Sequence, residues 1–246
     1  QPAIWNDTIV FVAEGDLWRV GVAGGVAQRL TTHPEEESRP AISPDGKTVA
    51  FAASYEGPGE VYTLPLEGGV PARHTWDATR PAWLSWTPKG EVLYATRRHS
   101  TLPNTQLVRL DPATHTKTFV PLAQASDGSF DAAGATLFFT RLAFQGSHTR
   151  RYKGGTAQNL WRFDGASAEA AALTADYPGT SKTPMLWKGR VYFASDRDGV
   201  MNLWSMNERG SDLKQHTKHR DYEVQSPSRS NGRVAYQQGA DIRVFD

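Results

Sequence analysis

Seven histidines, several clustered carboxylates and a run of basic residues are the groups in this chain that could do chemistry. The first test is for a nucleophile. No Gly-x-Ser-x-Gly elbow occurs. A triad assembled from distant Ser, His and Asp stays open, because triads are defined by geometry and not by order. His216 and His219 stand three apart, with Asp221 and Glu223 close by. Imidazoles and carboxylates are metal donors. On a strand, however, that spacing sends two side chains to opposite faces, which favours a solvated strand or turn. His33 followed by Glu35-Glu36-Glu37 reads as a charged connection. No metal site and no cofactor site is expected. In Ser195-Asp196-Arg197-Asp198-Gly199, Asp and Gly supply hairpin-turn chemistry, and Arg197 is expected to pair locally. Ser43-Pro44-Asp45-Gly46 lacks the full spacing of a sialidase Asp box, and a glycosidase would need two carboxylates at a set separation.

A segment from about Arg141 to Ala157 carries Arg141, His148, Arg150, Arg151 and Lys153, with Phe144 and Tyr152 and no acid. Two readings stand. One is a basic lip that attracts peptide carboxylates or docks a neighbouring domain, with Arg141, His148, Arg150, Arg151, Tyr152 and Lys153 as its binding residues. The other is a solvated hairpin loop with incidental charge. Long loops in compact domains are often functional, and Gly154-Gly155 would let the backbone turn sharply.

The global balance narrows the partners. With 27 Lys+Arg against 26 Asp+Glu, the chain is not a nucleic-acid binder by charge. No apolar run approaches the ~18 residues of a membrane span. There is no cysteine, so disulfides, thiolate metal sites and a Cys nucleophile are excluded together. No signal-peptide pattern occurs, and the first residue is Gln1 rather than Met, which reads as processing or truncation.

The elements that must position these groups come from a repeat. A polar residue, an aliphatic one and usually a large one recur at Asp16-Leu17-Trp18, Glu60-Val61-Tyr62, Gln106-Leu107-Val108, Asn159-Leu160-Trp161, Asn202-Leu203-Trp204 and Asp241-Ile242-Arg243. The intervals are 44, 46, 53, 43 and 39 residues, the range of propeller blades. The basic segment accounts for the longest one. Before each signature lies an apolar strand, such as Val49-Ala50-Phe51-Ala52 or Val191-Tyr192-Phe193-Ala194. Upstream of that comes a strand ending in a tight turn, clearest at Arg39-Pro40-Ala41-Ile42-Ser43-Pro44-Asp45-Gly46. After it comes an outer strand, as in Arg29-Leu30-Thr31-Thr32, Arg73-His74-Thr75 and Lys214-Gln215-His216-Thr217. Trp18, Trp161 and Trp204 share one repeat position, so blade packing accounts for them better than a sugar site.

Each unit is then a four-stranded antiparallel meander that covers its faces only by stacking around an axis. The expectation is an all-β, six-bladed propeller forming a single domain over 1–246. Its blades fall at about 1–37, 38–77, 78–123, 124–180, 181–222 and 223–246. The last blade ends in its third strand. An open third strand is an edge that proteins cover, so the natural polypeptide is expected to continue beyond Asp246.

These units resemble the TolB-type propeller repeat, with its Ser-Pro-Asp-Gly turn. Further residues sharpen the likeness: Gly15-Asp16-Leu17-Trp18, Tyr152-Lys153-Gly154-Gly155 before the fourth signature, Ser195 to Gly199 before the fifth, and the stretch from Lys214 to Tyr222. In this order they are similar to the N-terminal propeller of tricorn protease and its bacterial homologues, over essentially the whole chain. The resemblance implies a non-catalytic module of an oligomeric serine peptidase, followed by a second propeller, a PDZ-like domain and catalytic domains that this chain lacks. The module would gate substrate or product passage and contribute to assembly, with peptides or protein and the following domains as partners. Oligomers are expected only for the full-length form. None of the family's catalytic positions falls on these residues. A periplasmic or secreted location is implied, with a cytoplasmic one as the alternative. Two other functions remain: a TolB-like protein-interaction scaffold, and a stand-alone hydrolase with its site in the central channel.

Overall fold

The structure is a computed structural model that describes residues 1–143, 151–165 and 169–246. The described residues form strands and turns, in six antiparallel sheets. Blade one is β1 (Pro2–Trp5), β2 (Thr8–Ala13), β3 (Asp16–Gly21) and β4 (Gln28–Arg29). Blade two is β5 (Glu37–Ile42), β6 (Thr48–Ala53), β7 (Glu60–Pro65) and β8 (Ala72–Arg73). Blade three is β9 (Trp83–Trp86), β10 (Val92–Thr96), β11 (Gln106–Leu110) and β12 (Lys117–Phe119). Blade four is β13 (Asp127–Phe130), β14 (Leu137–Thr140), β15 (Leu160–Phe163) and β16 (Ala171–Ala172). Blade five is β17 (Ser181–Trp187), β18 (Arg190–Ser195), β19 (Asn202–Asn207) and β20 (Lys214–Gln215). Blade six has three strands: β21 (Gln225–Ser230), β22 (Arg233–Gln238) and β23 (Asp241–Phe245). The six-bladed propeller expected from the repeat is therefore present, with its last blade short of an outer strand.

The core is divided among the seams. Six apolar clusters each join two neighbouring blades: Val10 and Leu17 with Phe51 and Leu64, for example, or Phe138 and Leu160 with Val191 and Phe193. Ile4 and Ile9 of blade one meet Ala235 of blade six and close the ring. This is why the second strands read as continuous apolar runs: both faces of β6, β10 and β14 are buried. Among the described residues every sheet is built from consecutive strands, with none exchanged at the closure. Polar bonds supplement the packing there. The amides of Ile4 and Asn6 donate to the hydroxyls of Ser228 and Ser230 at 3.4 and 3.1 Å.

Two features depart from the sequence expectation. The outer strands are mostly two residues long, and Leu30, His74 and His216 lie beyond their paired ends. The first strands are not uniform either. In β5, β17 and β21 the register breaks just where Pro40, Pro184 and Pro227 occur. The residues before these prolines, Arg39, Thr183 and Ser226, take φ of 58°, 56° and 47°. A proline cannot donate to the ladder, so the chain bulges there.

Candidate functional site

The repeat positions of the third strands are held by one recurring hydrogen bond. The amides of Leu17, Val61, Leu160 and Leu203 donate to the hydroxyls of Thr31, Thr75, Thr174 and Thr217, at 2.9, 2.9, 3.0 and 2.9 Å. Each threonine lies fourteen residues further on. Its hydroxyl then donates to a polar acceptor: Glu37, Glu60, Asn159 or Asn202. The polar residue that opens the signature in blades two, four and five is thus an acceptor for the connection that follows. Glu60 shows this most fully, taking also the amides of Asp77 and Ala78 at 3.0 and 2.8 Å. These threonines were not singled out from sequence. Their fixed distance from the signature is the signal that could have found them.

Two histidines do pair with hydroxyls within the blades, His74 buried and His216 half-buried. His216 Nε2 lies 2.7 Å from Ser205 Oγ, and His74 Nε2 lies 2.7 Å from Thr63 Oγ1. Both pairs join a third strand to the connection after its outer strand. Ser205 is fully buried, and its oxygen also accepts from Arg190 Nε and Nη2 at 3.1 and 3.0 Å. With its oxygen taken up by Arg190 and His216, the buried Ser205 serves packing. Burial, reinforced by the charges of Arg190 and Lys214, lowers the pKa of His216. His219 turns elsewhere, to Tyr236 at 3.0 Å, so the two imidazoles do not converge on one ion. His33 accepts the Glu35 amide at 3.1 Å and lies against Tyr55, with ring centroids 4.0 Å apart.

The blade-five hairpin is a turn, as its residues suggest. The Gly199 amide donates to Asp196 O at 2.9 Å, with Gly199 at φ 95°. Asp196 is buried and accepts from the Tyr177 hydroxyl at 3.0 Å and the Thr180 amide at 2.9 Å. Asp198 accepts from Asn202 Nδ2 and Gln215 Nε2. The two acids therefore have separate structural partners. Arg197 reaches beyond its hairpin to Asp176, at 3.6 Å, and stacks on Tyr177 at 4.7 Å.

The basic segment meets this hairpin. Arg141 follows β14, and its guanidinium lies 5.2 Å from the Trp161 ring centre. His148 and Arg150 lie outside the described residues, as does Phe144. Arg151, at φ 58°, donates from Nε to Gly199 O at 2.5 Å. Tyr152 accepts from Thr156 Oγ1 at 3.0 Å, and Lys153 is exposed. Arg151 lines a cavity of about 290 Å³ with Gly199, Val200, Arg220, Asp221 and Glu223. Arg141 and Arg151 thus have different surroundings, and of the described residues of the basic segment Arg151 alone lines this cavity. Its wall mixes both signs of charge, contributed by the end of the blade-four segment, the blade-five hairpin and the connection into blade six. Such a wall can bind a group that carries a carboxylate next to an amine or amide.

Comparison with known proteins decides the family. The description "Tricorn protease N-terminal beta propeller domain" matches residues 1–246. The chain belongs to the tricorn N-terminal propeller family. Tricorn protease homolog 1 of Streptomyces coelicolor is 30% identical over 247 residues, covering 98% of this chain and 23% of the homologue. The tricorn protease homolog of Saccharolobus solfataricus is 28% identical, covering 100% of this chain and 23% of its own length. This tricorn-type propeller thus spans about a quarter of the curated relatives it matches. Among solved structures, the crystal structure of the tricorn protease superposes with a TM-score of 0.87 at 23% identity, covering all of this chain and 25% of that one. TolB from Acinetobacter baumannii superposes at 0.65 with 15% identity, over 91% of this chain and 56% of that one. At those identities the superpositions establish the fold.

Proposed function

We propose that this tricorn-type propeller is a non-catalytic module of a serine peptidase, gating the passage of oligopeptide substrates or products and contributing to assembly. The family match over residues 1–246, within relatives about four times as long, carries the reading. The buried Ser205, tied to Arg190 and His216, and the separately engaged Asp196 and Asp198 agree with it. The cavity beside Arg151 supplies a place for a peptide end at the blade-four and blade-five edge. The outer edge of β23 is where a following segment of the longer protein would add a strand.

The test is made in the longest natural polypeptide that contains this chain. Arg151→Glu and Tyr152→Ala are compared with the parent on peptides of increasing length. Gating predicts that kcat/KM falls several-fold for long peptides while short amide substrates are unaffected. Equal effects at every length, or none at any, would remove the gating role. A TolB-like interaction scaffold is the second reading, favoured by the propeller likeness to TolB. It predicts a protein partner bound by this chain alone and no length-dependent change in cleavage.

A further inference from the structure

Of the three bulged inner strands, β17 holds the most strained residue. Thr183 is β-branched and takes φ of 56°, a conformation such residues resist. Its amide donates to Thr140 Oγ1 of the preceding blade at 3.2 Å. Thr140 is fully buried, and its hydroxyl donates in turn to Asp127. The Thr140 amide also donates to Asp127 Oδ1, at 3.2 Å, so Thr140 links the Thr183 amide to the carboxylate. Asp127 opens β13 and is 6% exposed. The charged group facing it is Lys182, the neighbour of Thr183 on β17; β14 faces it with the uncharged Thr140.

We infer that Asp127, Thr140 and Thr183 form a proton-operated latch on the inner wall of the propeller, at the seam between blades four and five. With the carboxylate charged, the Thr140 amide and hydroxyl both donate to it, which leaves Thr140 Oγ1 oriented to accept the Thr183 amide and hold the Thr183-Pro184 bulge in its strained shape. A proton taken up from solvent binds one carboxylate oxygen and places another donor where donors already meet. The hydrogen bonds must then be re-sorted, and the bulge loses its anchor. No other bond forms or breaks. Burial pushes the Asp127 carboxyl up to about 6, against the pull of its donors and of Lys182, which places the change in mild acid. The matching bulge in β5 is anchored differently: the Arg39 amide is held at 3.0 Å by the uncharged side-chain oxygen of Gln1. The inference stands apart from the gating proposal.

The experiment is an amide NMR titration of this chain from about pH 4.5 to 7.5, spanning the carboxylate-to-neutral range. The Thr140 and Thr183 amides are expected to move together with a midpoint of about 6. The φ-sensitive HN–Hα coupling of Thr183 should change with them. Asp127→Asn should abolish the transition. Lys182→Gln, which removes a favourable charge, should raise its midpoint. A Thr183 amide that does not titrate in the folded chain would overturn the latch. So would a titration that survives Asp127→Asn, or one that leaves the Thr183 coupling unchanged. Should Asp127→Asn fail to fold, the Lys182→Gln midpoint decides: an unmoved value contradicts the proposal.

Discussion

Thr217 carries two bonds on one oxygen. It accepts the Leu203 amide at 2.9 Å and donates to Asn202 Oδ1 at 2.8 Å, in buried surroundings. Thr217→Val keeps the shape and removes both, leaving a buried amide without an acceptor. The expected cost is about 1–3 kcal/mol, measured by urea unfolding. Asp127 acts with the opposite sign to most carboxylates. Its folded pKa, about 6, exceeds the ordinary 3.8, because burial outweighs its donors. Below the unfolded value both states are protonated and nothing is lost. As pH rises through the folded value, the native state bears the buried charge. Stability should therefore decline from about pH 4 to pH 6, by on the order of 3 kcal/mol, and then level off. Urea unfolding of Asp127→Asn across that range should lack this slope.

At the scale of elements, the tight turns between first and second strands are equivalent in sequence but not in surroundings. Gly46 sits at φ 72°, and a Cβ there would lie 2.3 Å from the Trp5 ring of the neighbouring blade. Gly90 sits at φ 81° with nothing within 4 Å of that position. Gly90→Ala should cost about 1 kcal/mol through backbone strain alone. Gly46→Ala should cost roughly 2 kcal/mol more, because Trp5 must leave its place. Equal losses in thermal unfolding would contradict that packing. Such turns and the third-strand signatures were legible because their chemistry is local: Gly at positive φ, and apolar runs between polar marks. The bulges at Arg39, Thr183 and Ser226 were not. A residue before proline favours extended backbone, and only contacts from the adjoining blade, such as Thr140 with Thr183, favour the other outcome. The outer strands were read too long for a related reason. Leu30 and His74 each give one more backbone bond to the third strand, at 2.8 and 2.9 Å, and beyond that the threonine hydroxyl caps replace the ladder. In the candidate site, the charge of the basic segment was legible, whereas its meeting with Arg220, Asp221 and Glu223 depends on how two blades abut.

The whole molecule is a ring closed by packing. At the seam between blades six and one, Arg233 and Asp7 form a 2.5 Å ion pair, but Asp7 is 86% exposed in its side chain. Ile4 is buried against Ile9 and Ala235. Ile4→Ala should cost about 2–4 kcal/mol, and Arg233→Ala less than about 1 kcal/mol, an effect that fades with added salt. The reverse ranking would mean that charge closes the ring. The central claim is that this ring serves a peptidase without being one. The most direct measurement is cleavage of a fluorogenic oligopeptide set by this chain and by the longest natural polypeptide containing it. The account predicts cleavage by the long form alone. Cleavage by this chain, persisting through stringent purification, would contradict it and place a nucleophile within the propeller.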